Sequence, residues 1–149
     1  MLRSSFCVLA LVVLSFCVPA RAGTLRGEAW YRERIALPPE AVFEAVLLDV
    51  SCVDASAEVL GRARVEPAGN PPFRFEIDYD AAAIRRGHRY AVCATVTLGG
   101  HLSFITDRTY PAFGAGDEPL RMLLVRVRAG SGHPHRVPLA ARCATLIGS

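Results

Sequence analysis

Residues 72–84 read PFRFEIDYDAAAI. Phe73, Phe75, Ile77 and Tyr79 alternate one for one with Arg74, Glu76 and Asp78, and in an extended chain that two-residue period puts the apolar side chains on one face and the charged ones on the other. This is a strand with one buried side. Asp80 then stands where a short helical turn over residues 81–86 needs a cap, with Ile84 available to plug the core and Gly87 to end the turn.

The same period extends outward in both directions. Residues 25–37 form an expected first strand, closed by Pro38 and Pro39, which cannot continue a ladder. Residues 42–51, dense in Val, Leu and Phe, form a second strand with partial burial on both faces. Residues 58–65 alternate again. Residues 90–98 and 102–108 flank Gly99-Gly100, a pair that tolerates the positive dihedrals of a tight hairpin, and residues 120–128 form the last strand. About seven short strands with turn signals between them predict an all-β, single-domain β-sandwich carrying one short helical turn.

Residues 1–22 have a different character. Arg3, an apolar run over residues 6–18, Pro19 and then Ala20-Arg21-Ala22 make a secretory signal peptide, expected to be cleaved after Ala22. The run is short of the roughly 20 residues that span a bilayer. The expected division is a cleaved signal over 1–22, a β domain over 23–128 and a Gly/Pro/His-containing tail over 129–149. Losing Arg3 and Arg21 leaves the remainder near neutral. A near-neutral exported chain is a poor match for nucleic acid. Every cation is arginine, and the chain has no lysine.

Of five cysteines, Cys52, Cys93 and Cys143 follow the signal. An oxidising compartment would pair two of them. Spacing does not choose among the pairings, but Cys93 with Cys143 is the one that would hold down the tail.

The residue types that carry chemistry do not converge. His133 and His135 lack further metal ligands at a recognised spacing. His101, Ser103 and Asp107 share a strand face without an oxyanion hole or a strained nucleophile turn. Asp78 and Asp80 are better explained by a solvated face and a cap than as paired hydrolytic carboxylates. No phosphate loop, Cys-x-x-Cys or dinucleotide fingerprint is present. The expectation is a protein without catalysis, metal or cofactor.

Four segments carry a resemblance: YRERIALPP over 31–39, LLDVS over 47–51, the PFRFEIDYDAAAI segment and HRYAVCATV over 88–96, with LLVRV over 123–127 as a closing strand. In order and spacing they resemble the YbaY-like bacterial envelope lipoproteins, a family that includes the type III secretion lipoprotein chaperones, the YscW-like pilotins. The resemblance implies a transthyretin-like or immunoglobulin-like sandwich in which Asp80, Ile84 and Tyr90 are structural, Tyr90 resembling a tyrosine corner. It also implies chaperone-like help to an outer-membrane or secretion component. Family members are typically lipidated on an N-terminal cysteine, whereas Cys17 here follows the bulky Phe16. A soluble periplasmic protein is therefore expected, with membrane contact only if Cys17 is lipidated, as in an outer-membrane lipoprotein.

Two features could bind an envelope protein partner. On the last strand, if Leu123, Val125 and Val127 face the core, then Met122 and Leu124 form an apolar patch with Arg126 and Arg128. The other is Trp30, whose outward ring could anchor a peptide or stack on a sugar. A carbohydrate- or cell-wall-binding module is the alternative reading, and a passive structural envelope protein the third.

Overall fold

The computed structural model describes residues 21–52, 57–114, 116 and 118–127. Their strands are β1 (Ala22–Tyr31), β2 (Ala41–Asp49), β3 (Glu58–Val65), β4 (Phe73–Asp80), β5 (Tyr90–Leu98), β6 (His101–Thr106), β7 (Tyr110–Pro111) and β8 (Leu120–Arg126), with one 3-10 turn, Ala81–Ala83, after β4. Residues 1–20, Arg128 and the tail that contains Cys143 lie outside the described residues. So do the Cys17 reading, the 128/129 boundary and all of the expected signal peptide except Arg21 and Ala22, Ala22 being the first residue of β1.

All the strands belong to one sheet in the order β3-β2-β5-β6-β8-β1-β4, with the short β7 pairing to β5. The first and last long strands run parallel, with Ala29 opposite Met122 and Tyr31 opposite Leu124. That pairing removes the division into two sheets. The ends of the order then approach each other: a Cβ placed on Gly61 of β3 would lie 2.5 Å from the Asp78 carbonyl oxygen of β4 and 2.6 Å from Ile77 Cγ2. The expected two-sheet sandwich is therefore replaced by a single sheet curled almost to closure, like a small barrel. In small barrels the interior is filled by side chains.

The interior is aromatic. Phe43 stacks on Phe73 with ring centroids 5.1 Å apart, and Tyr31 stacks on Phe104 at 4.7 Å. Space for these rings comes from small residues on β1. Phe75 lies across Gly27, and Tyr79 lies across Gly23, so closely that a Cβ at either glycine would overlap the ring. Glycine paired with an aromatic across a strand is a known way to fill a sheet without a second side chain.

β1 ends six residues before the expected limit of Leu37. Arg32, Glu33 and Arg34 are consecutive charges that cannot alternate into a core. The chain instead bends there, and the Tyr31 hydroxyl donates to the Ile35 carbonyl at 2.7 Å.

The crossover from β4 to β5 is tied by side chains. Asp80 accepts from the Ala82 N–H at 2.8 Å, and the Tyr90 hydroxyl accepts from the Arg85 N–H at 2.7 Å. Ile84 packs half-buried against the core.

Candidate partner-binding surface

β8 inherits its facing from β1. Because Ala29 and Tyr31 point inward, their parallel neighbours Met122 and Leu124 do too, and they are 0% and 1% exposed. This corrects the expected patch: Met122 and Leu124 are core residues and cannot meet a partner. The outward set is Leu123, Val125 and Val127. Val125 of β8 and Val127 just beyond it are 40% and 37% exposed. Arg126 is exposed at the end of β8, and Arg128 lies outside the described residues.

Register extends this outward set across three strands. Trp30 of β1 sits beside Leu123, and Ile105 of β6 sits opposite Val125. The Val127 N–H donates to the Ser103 carbonyl at 2.9 Å, which holds the end of the stripe against β6. Tyr110 fixes the stripe from the side, its hydroxyl donating to Asp107 at 2.7 Å and accepting from the Leu123 N–H at 2.9 Å. Burial, the larger effect, and the nearby Asp107 carboxylate both push the Tyr110 phenol up.

The adjoining face of β1 and β4 is the opposite in character. Thr24 donates to Asp78 at 2.7 Å, and Arg26 pairs with Glu76 at 2.8 Å. Arg121 pairs with Glu28 at 3.2 Å and places its guanidinium 5.3 Å from the centre of the Trp30 ring. Charged cross-strand pairs keep one face in water, and the apolar stripe begins where they stop.

A second cluster comes from residues far apart in sequence. His88 Nδ1 lies 2.6 Å from Asp49 Oδ2, while the Ser51 hydroxyl and N–H donate to Asp49 Oδ1. The residue types are those of a hydrolase triad, but the order is wrong. The serine hydroxyl is bonded to the carboxylate and also accepts from the Arg89 N–H, so the histidine does not hold it as a base would. The cluster is a clasp that ties the end of β2 to the chain entering β5. Sequence reading missed it because Asp49 and His88 are 39 residues apart.

The clasp titrates. Partial burial pushes the Asp49 carboxyl up, but the bonds from Ser51 and His88 outweigh it and lower its pKa from 3.8 to about 2. A depressed folded pKa gives stability that is present above the unfolded value and lost as the pH falls through the folded one. Between pH 3.8 and about 2 the protein is expected to lose this contribution. Unfolding midpoints measured across that range should fall less steeply in Asp49→Asn.

Cys93 is fully buried on the outer side of β5, and Cys52 is exposed and free. Among the described residues no group of three His, Cys, Asp or Glu side chains is placed to hold a metal.

The type III secretion system lipoprotein chaperone (YscW) family model matches residues 20–123, well over half of the chain. The chain belongs to this family. It is also 32% identical over 120 residues to the uncharacterized lipoprotein YbaY of Escherichia coli (strain K12), covering 75% of this chain and 63% of that relative. The match thus spans a little under two thirds of the relative's length. A solved structure, an alternative pilotin from the type II secretion system of Vibrio cholerae, superposes with a TM-score of 0.67 at 36% identity, covering 73% of this chain and all of the pilotin chain. Family and fold agree, and both associate the chain with the bacterial envelope.

Proposed function

We propose that the protein is a non-enzymatic, exported assembly factor that binds an outer-membrane component of a secretion or assembly system. The outer face of β1, β8 and β6 is its docking surface. The observation that carries this reading is the outward stripe of half-buried Trp30, Ile105 and Leu123 with exposed Val125 and Val127, beside a face of paired charges. Membership in a family of secretion lipoprotein chaperones supplies the kind of partner. The occupant that fits is a segment of a protein client with an apolar side and an acidic flank, the acid meeting Arg121. A periplasmic location follows from the signal-like start of the sequence, and a lipid on Cys17 would place the same surface at the membrane.

A glycan site at Trp30 is the weaker reading, because Arg121 occupies one face of the ring a sugar would stack on.

The test is affinity capture from crosslinked cells. Val125→Asp is expected to reduce recovery of a discrete envelope partner by about tenfold, roughly 1.4 kcal/mol. Folding should change by no more than about 1 kcal/mol, since Val125 is a surface strand residue, 40% exposed. Equal recovery by Val125→Asp and the unaltered protein would rule out this surface.

A further inference from the structure

β1 is paired from its start on one side but only from its middle on the other. Against β4 it runs in register from Ala22 opposite Asp80 to Ala29 opposite Phe73. Its parallel pairing with β8 begins at Gly27, opposite Leu120. Pro119 stands before Leu120, and a proline has no N–H with which to carry the ladder further. Residues 22–26 therefore form an open edge in a sheet that is otherwise nearly closed.

The direction of the backbone groups follows from the register. The Ala81 N–H donates to the Arg21 carbonyl at 2.7 Å. Odd-numbered residues of β1 therefore bond to β4, and the even-numbered ones turn their N–H and C=O groups the other way. Those of Glu28 and Trp30 meet β8. Thr24 and the N–H of Arg26 come before that ladder, and among the described residues none of 111–119 makes a backbone hydrogen bond to them. Cleavage after Ala22 leaves both positions in place.

Beside this edge is a hollow of about 410 Å³, to which Thr24, Leu25, Arg26, Tyr79, Phe113 and Leu120 contribute. Leu25, Tyr79 and Leu120 pack against the core and give it an apolar floor. Phe113 is exposed and stands at the rim, its ring centroid 5.5 Å from that of Tyr79. The Arg26 side chain is held on the outer face by Glu76 and leaves the slot to the backbone.

We propose that this slot binds an extended peptide segment of a partner protein, added to β1 as a short strand in line with β8. The chemistry selects the occupant. Donors and acceptors that repeat every two residues, about 7 Å apart, match another extended backbone. A sugar or a lipid headgroup does not offer that repeat. The floor takes medium-sized apolar side chains from alternate residues of the segment, and the residues between them face water. The slot is separate from the outward stripe and does not depend on it, since the stripe reads side chains and the slot reads backbone.

The test is amide hydrogen exchange of the full chain, read by NMR, with the acetylated and amidated peptide Lys-Val-Thr-Val-Lys as probe. Saturating peptide is expected to slow exchange at Thr24 and Arg26 by about tenfold or more, while Gly23 and Leu25, already bonded to β4, change little. The same peptide N-methylated throughout should protect neither. Thr24→Pro removes an N–H that faces the slot without removing one from the β4 ladder, and it should abolish the protection at Arg26. Thr24→Val keeps that N–H and should retain the protection. Equal protection by the N-methylated peptide or in Thr24→Pro would overturn the slot. So would an absence of protection by the parent peptide, because backbone pairing asks only for an alternating extended segment.

Discussion

Phe43→Ala is expected to lower the free energy of unfolding by about 3–5 kcal/mol. Phe43 is completely buried at the centre of the barrel, stacked on Phe73 and tilted against Phe75 with centroids 5.7 Å apart. Its loss removes the transfer free energy of the ring, leaves a cavity, and ends two aromatic contacts worth roughly 0.5–1.5 kcal/mol each. For a domain whose whole stability is on the order of 5–15 kcal/mol, this approaches the limit of folding. Ile35→Ala is the control. Ile35 is 41% exposed, and its truncation should cost no more than about 0.5 kcal/mol. Chemical denaturation of both variants checks the difference, and equal losses would place Phe43 outside the core.

Gly61→Val has the second-largest expected effect, about 3 kcal/mol, at the upper end for overpacking. The side chain would meet the Asp78 carbonyl oxygen and Ile77 Cγ2. A flexible side chain could swing away, but a backbone carbonyl cannot. The added group would therefore push β3 from β4 and open the seam at which the sheet nearly closes. If Gly61→Val unfolds at the same denaturant concentration as the unaltered chain, β3 and β4 do not meet and the sheet is open.

Local pattern and long-range pairing were unequally legible in the sequence. Phe73 to Asp80 was readable because every second residue is charged, and the structure buries Phe73, Phe75 and Ile77 while exposing Arg74, Glu76 and Asp78. The Gly99-Gly100 hairpin was readable because both glycines require positive φ, here 54° and 80°. β8 was not readable in the same way. Met122, Leu123, Leu124 and Val125 are four apolar residues in a row, so period alone could not choose a face. Arg121 and Arg126 have opposite parity and give contradictory hints. The facing was decided by Ala29 and Tyr31, some ninety residues earlier, through a parallel pairing that no local signal announces. The same pairing is what converts the expected sandwich into a nearly closed sheet. The clasp of Asp49, Ser51 and His88 was hidden for a related reason, since it depends on the β2–β5 register that sets Asp49 opposite Tyr90.

The candidate surface follows from that facing. A partner recognised through Met122 and Leu124 would have required the core to open. A partner recognised through Leu123, Val125 and Val127 meets a sheet face that is already formed, so binding carries little cost of reordering.

The most direct test is site-specific photocrosslinking in living cells, with the photoreactive residue at Val125 in one strain and at Arg26, on the charged face of β1, in another. The account predicts one discrete envelope protein crosslinked from Val125 and none from Arg26. Crosslinking of the same protein from Arg26 but not from Val125, or of no protein from either position, would contradict it.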